Sequence, residues 1–550
     1  MRLKIFLMFP LIAVIYFSCL HRSESTKDNG ENHGYLVKIS QQPVLAGRVE
    51  NELVTITFPV ADYTDENLSI KSISLKFNKT SRMENLESIN AYFYSGSESA
   101  QKQFFGNSDK PSVNNKIDGA ITLSDSLNRI IICFDPAENI DMMARLIIEG
   151  LSISLSDRTK IDLKMPSGKN IVRFGQVLRA AGQDNCDTYR IPGLVTTNSG
   201  TLIAVYDNRY TRSKDLQEDI DIGMSRSTDG GNSWEPMKVI MDMGEYGGRP
   251  EELNGTGDPC VLYDHKTNTI WVAALWMSGA SRDLMLWNAS GPGMTPEETG
   301  QFLIVKSTDD GITWSEPVNI TKQIKDPSWQ LLLQGPGRGI TTKDGTLVFP
   351  AQFKADIGEP ALDGGQYSCH STIVWSRDGG TTWNIGTGAV SNTTEAQVVE
   401  LSDGALMLNM RDDLNRKEKG VTNGRAVAVT KDLGKTWVVH PSSNSALPEP
   451  NCMASLISAD IFIEGIKKKV LFFSNPDNKI SRSDMTIKAS LDEGSTWPEK
   501  YQLEIYEPEG YGYSCMTMVD EKTVGILYEG SKELFFQKIP VSDILKGSKF

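Results

Sequence analysis

The chain has 550 residues, with 56 Lys and Arg against 70 Asp and Glu, a formal net charge of −14. That balance excludes a general nucleic-acid surface and leaves an anionic ligand dependent on a local cationic pocket. A hydrophobic content of 39% and a charged content of 23% fit a folded globular chain, and the length predicts two or three domains.

The first 18 residues read as an export signal: Arg2 and Lys4 precede a short apolar run over 5–17 that contains Pro10. Tyr16-Phe17-Ser18-Cys19 loosely resembles a bacterial lipobox, which would put a lipid anchor on Cys19. The expected destinations are the periplasm, the cell surface or the medium. Residues 19–34 are polar and predict a flexible tether. From 35 to 165 the chain is strand-like, at 52–60, 69–77, 89–94, 129–134 and 146–155, with no long helical period. This predicts a β-sandwich accessory domain. Tyr92, Phe93 and Tyr94 fit either a sugar-binding face or a hairpin core. Lys164-Met165-Pro166-Ser167-Gly168 reads as a linker.

Beyond it, one eight-residue phrase occurs five times: Ser or Thr, any residue, Asp, any residue, Gly, any residue, Ser or Thr, Trp. The copies begin at Ser227, Ser307, Ser376, Thr430 and Ser490 and use five of the ten tryptophans. The Asp can close a turn by accepting backbone N–H groups, the Gly permits φ > 0, and the Trp buries apolar area beneath the hairpin. The copies read as structural. Six apolar strands accompany them, starting near Thr201, Thr269, Thr346, Ala405, Val470 and Thr523, each with another strand upstream. Such units predict a six-bladed β-propeller over 170–545, with the segment before Arg190 as the outer strand of the last blade. The six cysteines after Cys19 show no metal or small-disulfide spacing. Cys369-His370 reads as a core dipeptide rather than a metal pair.

In a propeller the innermost strands start at one mouth. Their starts are Arg190, Asp258, Arg338, Glu395, Asn451 and Tyr513, and the second strands return there with Arg209, Gln352, Arg411, a loop toward Arg482, and Glu529. Clustered guanidinium forks predict an anionic, carboxylate-bearing ligand. Tyr513 beside Glu395 predicts a phenol that gives up its proton to a carboxylate as it attacks, a neutral nucleophile suited to a centre carrying its own negative charge. A loop acid near Asp215 would serve the leaving group, with Glu218, Asp219 and Asp221 as rivals.

These residues carry a family resemblance. Residues 175–540 resemble the catalytic propeller of the bacterial exo-α-sialidases (neuraminidases), whose repeated turns are called Asp-boxes. Tyr189-Arg190-Ile191-Pro192, Asn409-Met410-Arg411, and Ser474-Asn475-Pro476 leading to Arg482 resemble the segments of the carboxylate-binding arginine triad. Gly512-Tyr513-Ser514-Cys515 resembles the nucleophile segment, and Glu395 through Glu400 the segment of its Glu partner, with Glu395 in that role. Asp207-Asn208-Arg209 followed by Asp215 resembles the accessory arginine and acid/base region, Gly257-Asp258-Pro259 a substrate-pocket Asp, and Leu527-Tyr528-Glu529 the Glu that orients the first arginine. The residues before 165 loosely resemble the accessory domain of some gut-bacterial sialidases. The resemblance implies a retaining exo-α-sialidase that needs neither metal nor organic cofactor and acts on sialylated glycans. Sialidases are an exception among glycosidases in using a tyrosine nucleophile. A trans-sialidase and a non-hydrolytic sialoglycan-binding lectin are the competing readings. Linkage preference and oligomeric state are not legible in the sequence.

Overall fold

The computed structural model describes residues 35–58, 69–96, 101–123, 127–356 and 358–548. The export segment, the tether and Cys19 lie outside these residues.

Two sheets face each other in the first part of the chain. One orders Leu36–Ile39, Asn51–Phe58, Asn128–Pro136, Leu86–Ser95 and Gln103–Ser108; in the other, Ser69–Phe77 lies between Asn114–Thr122 and Arg145–Leu155. Inward residues such as Ile56, Ile73, Phe77, Ile130, Phe134 and Ile153 alternate with outward polar ones and share one core. The strands Gln103–Ser108 and Asn114–Thr122 escaped the sequence reading because Asn and Gly, which disfavour strands, interrupt their apolar residues. Alternation also divides the aromatic run. Phe93 is in the core, whereas Tyr92 lies on the other face, bonded to Glu50 and capped by the Lys102 ammonium 3.8 Å from its ring centre.

Six antiparallel sheets follow. The innermost strands of the first, second, fourth, fifth and sixth blades are Thr188–Thr196, Thr256–Asp264, Thr393–Glu400, Ser455–Ile463 and Ser514–Asp520. The ring closes as expected: Ile171–Arg179 pairs antiparallel with Leu534–Pro540, opposing Gln176 to Phe536. The same strand pairs with Arg145–Leu155 and, in parallel, with Val44–Ala46. The residues read as a linker therefore lead straight into a strand bonded on both sides. Arg173 and Arg145 reinforce that join through Asp543, with Arg173 at 2.9 Å.

All five repeated turns make one set of bonds. In the first, the Ser227 hydroxyl donates to Asp229 at 2.8 Å and accepts from Gly231 N, while Asp229 takes the N–H and hydroxyl of Ser233 at 2.9 and 2.7 Å. The glycine has φ 82°, which permits this path. Three of the aspartates, Asp309, Asp378 and Asp432, are held down to about 2 by those donors.

The inner strands are irregular at the mouth where they start. Register shifts fall between Arg190 and Gly193, Gly257 and Cys260, and Thr393 and Ala396. Ile191, Asp258 and Asn451 have φ near 60° (57°, 58° and 60°). Such bulges re-aim side chains, here toward the channel mouth, and the backbone strain of about 1–3 kcal/mol per residue persists only where surroundings hold it. The third blade departs from expectation. Its inner strand is split into Leu331–Gln334 and Ile340–Thr341 around Gly335-Pro336, so the mouth is reached at Leu331 and Arg338 lies far down the channel. The proline carries no N–H for the ladder and breaks it.

Candidate active site

The mouth holds a cleft of about 250 Å³. One wall is charged, with Arg190, Arg411, Arg482, Glu395, Tyr513 and Asp215. The other is apolar, with Leu216, Leu275, Leu286, Leu331 and Leu333. The apolar wall was not anticipated. Its trace in the sequence is the run Leu331-Leu332-Leu333, whose alternate members face the cleft.

Glu529 is the organising carboxylate. It is fully buried; Oε1 accepts Arg190 Nε at 3.1 Å and Ile191 N at 2.9 Å, and Oε2 accepts Tyr513 N at 2.9 Å. One side chain thus fixes an arginine, the strained residue after it, and the backbone of Tyr513. Arg411 Nη1 donates to Glu395 at 2.7 Å and to the Tyr513 hydroxyl at 3.2 Å, and Nη2 to Asn451 at 2.8 Å. Its Nε is buried without a partner. Arg482 donates to the carbonyls of Tyr511 and Asn451, at 2.9 and 3.2 Å. The guanidinium carbons of Arg190 and Arg482 lie 5.1 and 5.6 Å from the Tyr513 ring centre. Three cations line the cleft around Tyr513, with more donors than fixed acceptors, an arrangement suited to a carboxylate.

The Tyr513 hydroxyl donates to Glu395. Burial and the Glu395 charge push the phenol well above its ordinary range, although the arginines pull the other way. Burial opposes ionisation of Glu395, but Arg411 and the Tyr513 hydroxyl outweigh it and keep the carboxyl below the usual range. The resting pair is a neutral phenol against an ionised acceptor, poised for proton transfer on attack.

Among the four loop acids, only Asp215 lines the cleft. It accepts from Arg209 at 2.7 Å and from Arg190 at 3.3 Å. Desolvation works against its charge, but Arg209 and Arg190 prevail and hold the carboxyl low. Arg209 is itself buried and held by Asp207 at 2.8 Å. Glu218 is spent on Arg212 and Arg282, and Asp221 accepts from Tyr210 at 2.9 Å. Asp258 donates its backbone N–H to Asp207 at 2.9 Å, and burial with the neighbouring Asp207 and Asp215 pushes its carboxyl well up. Gln352 lines the cleft as expected. Arg338 and Glu400 do not: both line a cavity at the opposite mouth, because Glu400 ends the strand near whose start Glu395 sits.

Behind the charged wall lies a network the sequence reading missed. Arg425 and Glu449 form a fully buried ion pair at 2.7 Å. Arg425 also donates to Asn409 Oδ1 and to the carbonyls of Cys452 and Glu395, at 2.7, 2.6 and 3.3 Å, and Glu449 accepts the Asp412 N–H at 2.9 Å. It holds the backbone on both sides of Arg411. Cys369 and His370 are buried core residues, the imidazole stacked on Phe353.

A BNR repeat-like domain model matches residues 200–526, more than half of the chain. A sialidase of Bacteroides fragilis is 52% identical over 375 residues, which cover 68% of this chain and 66% of that protein. A sialidase of Micromonospora viridifaciens is 31% identical over 369 residues, 66% of this chain and 53% of that one. The chain thus spans just under two thirds of the first relative and about half of the second. Among solved structures, the Hadza microbial sialidase Hz136 superposes with a TM-score of 0.83 at 39% identity, covering 92% of this chain and 99% of that chain. With a solved sialidase matched almost end to end on the same propeller, this chain belongs to the sialidase family.

Proposed function

We propose that the protein is an exo-α-sialidase that removes terminal α-linked sialic acids from glycoproteins, glycolipids and oligosaccharides with retention of configuration. The observation that carries this reading is the Tyr513 hydroxyl, bonded to Glu395 and Arg411 inside a cleft walled by Arg190, Arg411 and Arg482. The three arginines take the sugar's carboxylate. Tyr513 Oη attacks the anomeric carbon as its proton passes to Glu395. The bond to the glycosidic oxygen breaks, and Asp215 protonates that oxygen. In the second half Asp215 takes a proton from water, which attacks the same carbon and frees Tyr513; Glu395 returns the proton. Asp258 offers its carboxyl in the cleft to the sugar's polar substituents, Arg209 steadies Asp215, and Glu529 orients Arg190.

Asp215 must carry a proton, yet in the ligand-free cleft two arginines hold it ionised. A substrate carboxylate on Arg190 offsets that field, so substrate binding raises the Asp215 pKa and loads the acid.

Residues 35–165 form the accessory domain, with a carbohydrate-binding role as its proposed use, and 170–545 the catalytic domain. Export through residues 1–18, with either lipidation of Cys19 or release, delivers the enzyme to extracellular glycans. Mass spectrometry of the mature N-terminus tests this part.

Incubation with an α-sialoside, following the free sugar and its first-formed anomer by NMR, tests the reaction. Release of the α-anomer is expected. Binding without release points to a lectin, and a sialylated acceptor or an intramolecular product to a trans-sialidase. Labelling with a 2,3-difluorosialic acid should modify Tyr513; a label on another residue overturns the nucleophile assignment.

A further inference from the structure

The central channel has a second mouth, at the far end of the inner strands from the cleft. A cavity of about 170 Å³ lies there, lined by Tyr263, His265, Arg338, Glu400, Ser458 and Lys469 among others. These residues come from the second, third, fourth and fifth blades. Arg338 belongs to the short strand Gly337–Arg338, which pairs in parallel with the inner strand of the second blade. Its guanidinium crosses the channel and donates from Nη1 to the Met516 carbonyl of the sixth blade at 3.2 Å. Its Nε is buried and has no partner.

Among the described residues Arg338 forms no ion pair, although the Glu400 carboxylate lines the same cavity. Burial works against its charge, and the neighbouring Cys515 and Cys260 thiols, themselves pushed up by burial, stay protonated and supply no counter-charge. Lys469, at the cavity edge, donates to the backbone carbonyl of Glu400 at 3.1 Å. The Glu400 carboxylate is turned to another partner, accepting the Lys343 N–H at 2.9 Å. Among the described residues, neither cation forms an ion pair. His265 adds no charge at neutral pH, since burial and Arg338 hold its ring below the ordinary imidazole range. In a chain of net charge −14, a half-buried arginine with its Nε buried and unpartnered, paired with no carboxylate among the described residues, is an unmet electrostatic demand. Its planar fork presents N–H donors in the geometry that oxyanions accept.

We propose that the second mouth of the channel is a binding site for a small inorganic oxyanion of the phosphate class, held by Arg338 with Lys469 beside it. The anion neutralises Arg338 and adds a charged link between blades that at this end are joined through Thr341 and Tyr263, Lys343 and Glu400, and Lys469 and Glu400. Because it binds the folded ring and not the unfolded chain, it stabilises the protein by linkage.

The test uses crystals of the full chain soaked in selenate, whose anomalous signal locates the anion, together with melting curves in phosphate at constant ionic strength. A selenate peak within hydrogen-bond distance of Arg338 is expected, absent in Arg338→Gln. Tm should rise with the logarithm of phosphate concentration, with a slope at least halved in that variant and kcat on a sialoside unchanged. Lys469→Gln, at the cavity edge, should weaken the Tm response severalfold and serves if Arg338→Gln does not fold. Selenate found at the cleft arginines but not at Arg338, or a Tm response untouched by both substitutions, overturns the proposal.

Discussion

The outer turns and the inner rim of the propeller are built from the same strands by opposite rules. Five outer turns repeat one bonding pattern, and every bond in it joins residues two or four apart in sequence. At the rim the decisive bonds span 102 residues between Arg411 and Tyr513, 118 between Tyr513 and Glu395, and 339 between Arg190 and Glu529. Local bonds can be copied from blade to blade. Bonds between blades cannot, so each blade contributes something different to the rim. The repeat keeps the ring in shape and the irregular mouth carries the chemistry.

The comparison breaks most sharply at the nucleophile pair. Glu395→Gln should lower kcat by about 10²–10⁴-fold, and Tyr513→Phe by at least as much, with Tm unchanged in both; equal losses from Asp432→Ala in an outer turn would erase the distinction. The buried pair behind the rim comes next. Arg425→Met strands Glu449 and should cost about 3–5 kcal/mol of stability, read as a drop in the denaturation midpoint, whereas Arg425→Met combined with Glu449→Leu should recover part of it. A loss confined to kcat would mean that this network is not a structural support.

Asp215→Ala should act through the leaving group. Turnover of an alkyl sialoside should fall about 10²-fold or more, and that of an activated aryl sialoside much less. In the wild type, loading of Asp215 by bound substrate places the basic limb of kcat at higher pH than that of kcat/KM; coincident limbs would refute the loading. The smallest effect belongs to the turns. Asp309, Asp378 and Asp432 have folded values of about 2 against an ordinary 3.8, so their contribution is complete above the unfolded value and is lost as pH falls toward 2. Asp→Asn changes in these turns should flatten the acid limb of the Tm profile over that range and leave kcat at its optimum unchanged.

What could be read from the sequence follows the same division. The turns, the closing strand and the order of blades rest on local patterns, and so did the placing of Arg190, Arg411, Glu395 and Tyr513 at one mouth. Arg338 was misplaced because a Gly-Pro break moved the start of its blade seven residues upstream, from Arg338 to Leu331. Arg425 and Glu449 were missed because a buried ion pair has no local signature. Asp215 could not be separated from Glu218, Asp219 and Asp221 until Arg212, Arg282 and Tyr210 had claimed two of its rivals.

The sequence by itself determined the all-β class, the repeat that makes six blades, and the residue types of the charged wall of the cleft, since all three depend on periodicity and on bonds between near neighbours. The tertiary structure alone decided which loop acids are spent on other partners, that Arg425 and Glu449 pair behind the rim, and that Glu529 holds Ile191 and Tyr513 as well as Arg190. Those choices depend on ring closure, which brings together residues hundreds of positions apart and fixes their electrostatics by burial.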